Sequence, residues 1–106
     1  MIVIAAKFQV KPESAEAWAN ISAKFTAATR AELGCLWFDW SRSLDDPNEY
    51  VLLEAFLDDE AASAHVRSAH FRAARAELPP HLAATPQIIN TTAPGRAWSE
   101  LGELAV

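Results

Sequence analysis

The chain has 106 residues, 51% hydrophobic and 22% charged, with three Gly, six Pro and one Cys. Fourteen acidic residues against nine basic ones leave a net charge of −5, which argues against nucleic acid and against membrane, because anionic polymers and lipid surfaces are held mainly by Lys and Arg. Area scaling gives about 5,800 Å² folded against about 16,800 Å² unfolded, so one domain of this length can bury a core without disulfide or metal staples. Cys35 stands alone, which forbids an internal disulfide and points to a reduced, cytoplasmic compartment. Ile2 to Ala6 is too short for a secretory apolar segment, and no stretch approaches the roughly 20 apolar residues of a membrane helix.

Met1 to Val10 alternates, with Ile2, Ile4, Ala6, Phe8 and Val10 on one face, and reads as a strand. Lys11-Pro12-Glu13-Ser14 suits a first helical turn. Trp18, Ile21, Phe25, Ala28 and Glu32 then recur at helical spacing, predicting one amphipathic helix from about Ser14 to Leu33 with Gly34 as its C-terminal stop. Cys35 to Ser43 is a second strand, placing Leu36, Phe38 and Trp40 on one face. Leu44 to Asn48 is rich in turn residues, and Tyr50 to Leu57 completes a hairpin. Asp58 or Asp59 caps a helix over about Glu60–Ala69. A short helix follows from about His70 to Leu78, ended by Pro79-Pro80, and Gln87 to Thr92 is a fourth strand.

The order β-α-β-β-α-β predicts an α+β, ferredoxin-like fold with a four-stranded antiparallel sheet and helices on one face. Residues 1–93 are expected to form the domain, and residues 94–106 a tail packing on it or on a partner. The third strand is apolar on both faces, with Leu52 and Phe56 on one and Val51, Leu53, Ala55 and Leu57 on the other. Two helices cover one face only, so a homodimer joined through the second face is expected.

Few residues can carry chemistry. His65, His70 and His81 are the only histidines, and none falls in a zinc or 2-His-1-carboxylate spacing. His65 and His70 are five apart, about 140° around a continuous helix, so no metal is expected. Three glycines supply no phosphate-cradling loop. Cys35, on a strand beside aromatics, reads as an inert thiol. In Ala64-His65-Val66-Arg67-Ser68-Ala69-His70-Phe71, Ser68 marks a helix break that would let both imidazoles approach one pocket, with His70 kept neutral by the helix dipole. The alternative is structural, His65 bonded to a carbonyl and His70 acting as a cap. Glu54, mid-strand between Leu52 and Phe56, either orients a histidine or a substrate, or pairs with Arg67, Arg72 or Arg75. Trp37, Phe38 and Trp40 read as core or dimer interface.

Glu32-Leu33-Gly34-Cys35-Leu36, Arg42-Ser43-Leu44-Asp45-Asp46-Pro47, Glu54-Ala55-Phe56 and the run from His65 to Phe71 together resemble the antibiotic biosynthesis monooxygenase family, from Ile2 to about Thr92. The resemblance implies a dimeric α/β barrel and a monooxygenase using neither metal nor flavin, oxidising a quinol or polyketide-like phenol with O₂. His65 or His70 would be the base, Glu54 would orient it, Arg75 would stabilise developing anion, and Phe8, Phe38 and Phe71 would form walls. The haem-degrading branch carries Asn, Trp and an axial His where this chain has Ala6, His65 and Arg75, so haem cleavage is not implied. A dimeric small-molecule-binding or stress-associated module, or an isomerase using the same histidines, is the alternative.

Overall fold

The computed structural model describes all 106 residues. Strand β1 (Ile2–Gln9) is followed by three short helices, α1 (Pro12–Ala15), α2 (Trp18–Ile21) and α3 (Ala23–Arg30). Strands β2 (Cys35–Arg42) and β3 (Glu49–Phe56), helices α4 (Asp59–Val66) and α5 (Ala69–Glu77), a 3₁₀ turn (Pro79–His81) and strand β4 (Gln87–Thr92) complete the domain. The sheet is antiparallel throughout, in the order β2-β3-β1-β4, as the ferredoxin-like reading requires. The hairpin turn is tied by Ser43 Oγ, which accepts from the Asp45 and Asp46 amides, and by Asp46 Oδ1, which accepts from Asn48.

The single long helix expected between β1 and β2 is replaced by three segments. Ala17 and Ser22 leave helical geometry, with ψ near zero, and Ser22 Oγ donates back to the Trp18 carbonyl at 2.9 Å. Such back-bonding competes with the helical ladder and bends it. The chain nonetheless keeps its apolar stripe: Trp18 is fully buried beside Val10, Ala15, Ala74 and Leu78, with Ile21 and Phe25 packed against that cluster. Ala6, Phe38 and Leu52 form a second cluster under the helices.

Gly34 acts differently from the expected stop. A Cβ built there would lie 2.3 Å from Ala61 Cβ, while the Gly34 carbonyl accepts from the Leu57 amide at 2.8 Å. Its role is to let the start of β2 lie flush against α4.

The molecule is a slab of 40 × 35 × 20 Å with a radius of gyration of 14.7 Å, against about 12.9 Å for a compact domain of this length. Its accessible surface is 7181 Å², well above the roughly 5,800 Å² of area scaling. Both excesses come from a two-layer fold. One sheet face lies under the helices; the other, carrying Trp37, Val51, Leu53 and Ile89, has no helix over it, and Ile89 is 73% exposed. Trp98 of the tail packs against Trp37, ring centroids 5.3 Å apart, while staying 69% exposed.

The contact at Gly34 gives a direct test. Gly34→Ala is expected to destabilise the protein by about 1–3 kcal/mol through overpacking against Ala61, read as a lower urea midpoint. Combining it with Ala61→Gly should restore most of that loss.

Candidate active site

Asp58 Oδ1 accepts from the Ala61 amide at 2.8 Å and starts α4, which carries His65 into the interior near its C-terminal end. The helix then stops, and Ser68 makes the stop. Its hydroxyl donates to the His65 carbonyl at 2.6 Å and accepts from the Phe71 amide at 3.1 Å, so one side chain closes α4 and caps α5. The extended backbone of Ser68 (φ −70°, ψ 157°) reverses the chain and returns His70 to within 6.0 Å of His65, ring to ring. The 140° separation of a continuous helix therefore does not apply: the break at Ser68 brings the two imidazoles together, and the spacing argument against their facing a common ligand is corrected with it.

Both imidazoles meet one oxygen. Glu32 Oε2 accepts from His65 Nδ1 at 2.7 Å and from His70 Nε2 at 2.5 Å. Glu32 stands just beyond α3, where 3₁₀-type bonds (the Glu32 amide to Thr29, the Cys35 amide to Glu32) turn the chain towards β2. With Nδ1 donating, His65 presents Nε2 as its free lone pair, and Glu54 Oε1 lies 3.9 Å from it. His65 is 3% and Glu54 6% exposed. Burial pushes the His65 pKa below its usual value, opposed by the Glu32 carboxylate, and so favours the neutral ring. Burial, and then the charge of Glu32, push Glu54 up to about 7.

These groups stand at one side of a cleft of about 720 Å³ between sheet and helices. Ile4, Ala6 and Phe8 of β1, Leu52 and Phe56 of β3, Ile88 of β4 and Phe71 of α5 make it mainly apolar; Glu54, His65 and Asn90 supply polar atoms. His65 is held between aromatic rings, 4.8 Å from Phe56 and 5.1 Å from Phe71.

Of the residues singled out in the sequence, His65, Glu54, Phe8 and Phe71 line the cleft. His70 joins the cluster through Glu32 but is not on the wall. Phe38 is fully buried behind it, 5.4 Å from Phe25 and 6.1 Å from His65. Arg75 is exposed in the last turn of α5 and does not reach the cleft, because the helix face that packs inward is that of Ala74 and Leu78. No arginine pairs with Glu54; its nearby partner is His65. Sequence reasoning missed Glu32 as a site residue and Asn90 as a wall residue. The available signal for Glu32 was a carboxylate closing an otherwise apolar helix stripe.

A family model described as antibiotic biosynthesis monooxygenase matches residues 1–77. YcnE of Bacillus subtilis (strain 168), provisionally named as a monooxygenase, is 31% identical over 91 residues, covering 86% of this chain and 96% of its own. Among solved structures, a protein of Nitrosomonas europaea provisionally named as an antibiotic biosynthesis monooxygenase superposes with a TM-score of 0.82 at 26% identity, covering 90% of this chain and all of that one. Rv0793 from Mycobacterium tuberculosis gives 0.81 at 26% identity, covering 92% and 98%.

The environment of Glu54 sets a pH dependence. A carboxyl whose folded pKa is raised from 4.5 to about 7 contributes stability that is complete below pH 4.5 and lost as pH rises through 7. Glu54→Gln is expected to remove that loss, unfolding at pH 8 with a free energy about 2–3 kcal/mol above the parent while differing little at pH 4.5. Urea unfolding at the two pH values checks it.

Proposed function

This chain belongs to the antibiotic biosynthesis monooxygenase family, and from that premise we propose that it oxidises a small electron-rich aromatic, a quinol or polyketide-like phenol, with O₂. The carrying observation is His65: a buried imidazole on the wall of an apolar cleft, its Nδ1 tied to Glu32 and its Nε2 free, with burial favouring the neutral ring.

In this reading the phenolic proton passes to His65 Nε2, and the Glu32 carboxylate stabilises the imidazolium through Nδ1–H. His70, donating to the same carboxylate oxygen, fixes the orientation of Glu32. The phenolate gives one electron to O₂; phenoxyl radical and superoxide combine in a C–O bond, and a proton from the imidazolium completes a hydroperoxide. Loss of the proton on the newly oxygenated carbon then completes the reaction: its C–H electron pair forms the C=O bond as the O–O bond breaks, the departing hydroxide and that proton leave as water, and the other oxygen remains as the new carbonyl of the quinone. The substrate supplies all four electrons, so the protein has only to move a proton, orient the ring and keep the cleft dry. Phe8 and Phe71 are the walls available for ring contact, and Glu54 faces His65 Nε2 from β3.

The same proposal includes assembly and location. The uncovered sheet face around Leu53, the excess accessible surface and the apolar tail residue Trp98 support a homodimer built through that face, with residues 94–106 alongside the 1–93 domain at its edge. One free thiol is in keeping with a cytoplasmic setting, and no helix is long and apolar enough to cross a membrane.

Oxygen uptake with a panel of hydroquinones and anthrones tests the activity. His65→Ala is expected to lower the rate by about 10²–10⁴ while leaving the fold intact. Ligand binding without oxygen consumption across the panel would favour a binding module instead. Assembly has its own test: sedimentation should show a dimer at micromolar concentration, and Leu53→Asp should yield monomers or aggregates.

A further inference from the structure

Glu32, His65 and His70 each offer one ligand atom, and these three atoms all lie within 4.8 Å of one another. They come from three parts of the chain: the turn after α3, the end of α4 and the first turn of α5. We infer that the three side chains form a binding site for one divalent transition-metal cation.

The donor set specifies the class of ion. Two imidazole nitrogens and one carboxylate oxygen suit zinc, cobalt, nickel or ferrous iron, whereas magnesium and calcium prefer oxygen ligands throughout. Charge points the same way. Two carboxylates, Glu32 and Glu54, are gathered in a largely buried cluster, and the partners of both are imidazoles, with no lysine or arginine paired to either. A divalent cation would balance them. Glu54 also holds a supporting position: its Oε1 lies 3.9 Å from His65 Nε2, across the ring from Nδ1, where a second carboxylate orients a metal-bound histidine.

The distances call for a local rearrangement. Hydrogen bonds of 2.7 and 2.5 Å now link the donor atoms; an ion held tetrahedrally with ligand bonds of about 2.0–2.2 Å needs neighbouring donors roughly 3.3–3.6 Å apart. The two hydrogen-bonded pairs must therefore open by roughly 0.6–1.1 Å, a shift within the reach of side-chain rotation at Glu32 and His70. Three protein donors leave at least one coordination position for water or a ligand. The site follows from the donor set and does not rest on the proposed oxidation, but the two draw on the same atoms: a cation on His65 Nδ1 and Glu32 leaves the ring proton on Nε2, so the metal-loaded protein lacks the free base and the two states exclude one another.

The experiment titrates the full-length protein, first treated with chelator and desalted, with Co²⁺, following visible d–d absorption and the imidazole proton resonances. Expected are saturation at one equivalent, paramagnetic shifts of His65 and His70 but not His81, and displacement of the cobalt spectrum by Zn²⁺. Glu32→Gln and His70→Asn should each weaken binding by about 100-fold or more, since losing even an outer-shell partner costs roughly 10–100-fold. His81→Asn, at a side chain engaged with Ser14 elsewhere, should leave the titration unchanged. Absence of a cobalt spectrum at millimolar Co²⁺ would overturn the site. So would binding that shifts His81 alone, or binding that folded Glu32→Gln and His70→Asn proteins retain in full. The wild-type resonances decide the matter even where a variant fails to fold.

Discussion

The two hydrogen bonds of the Ser68 hydroxyl set the geometry on which the rest of the site depends. A chain running helically from Asp59 to Glu77 would carry His65 and His70 on different faces. By donating to the carbonyl of residue 65 and accepting from the amide of residue 71, Ser68 ends one helix and opens the next, with only Arg67 and itself between them. Each bond is of ordinary strength, and a cap is worth about 1 kcal/mol, yet together they place two imidazoles on a single carboxylate oxygen. Glu32 then serves as the fixed point: it fixes the donating nitrogen of each ring, and through His65 it determines which lone pair faces the cleft.

The electrostatics follow from that placement. In a buried, mainly apolar setting, charge concentrates where donors are available, and Glu32 has two. His65 is pushed by burial towards its neutral form, and Glu54, close to it and without a cationic partner, is pushed towards its protonated one. Neutral imidazole and raised carboxyl thus sit side by side. Each is sensitive to any charge brought into the cleft, whether a phenolate or a cation.

Much of this was legible before any coordinates. The alternation of Ile2 to Val10, the two-sided apolarity of Tyr50 to Leu57 and the turn residues at 44–48 are local patterns with few physical alternatives, and they fix the sheet. Asp58 and Ser68 were readable as caps for the same reason. The break-up of the first helical region was not, because Ser22 back-bonding to Trp18 depends on side-chain geometry that spacing does not encode. Glu32 was seen only as a member of a helical stripe: its role arises from contacts with residues 33 and 38 positions away, beyond the range of any periodicity. Arg75 and Phe38 entered as parts of the mechanism that the family resemblance implies, and the packing of α5 and of Phe25 keeps each of them off the cleft wall.

The position of Cys35 beside this cluster has a chemical consequence. It is half-buried at the start of β2, and burial, reinforced by the carboxylates of Glu32 and Glu54, pushes its thiol up to about 11. At pH 7 the nucleophilic thiolate is then on the order of one part in 10⁴. Peroxide attacks thiolate rather than thiol, so the only cysteine of the chain lies against a site proposed to handle oxygen without becoming its first casualty. The negative charge that holds the imidazoles also keeps the sulfur quiet.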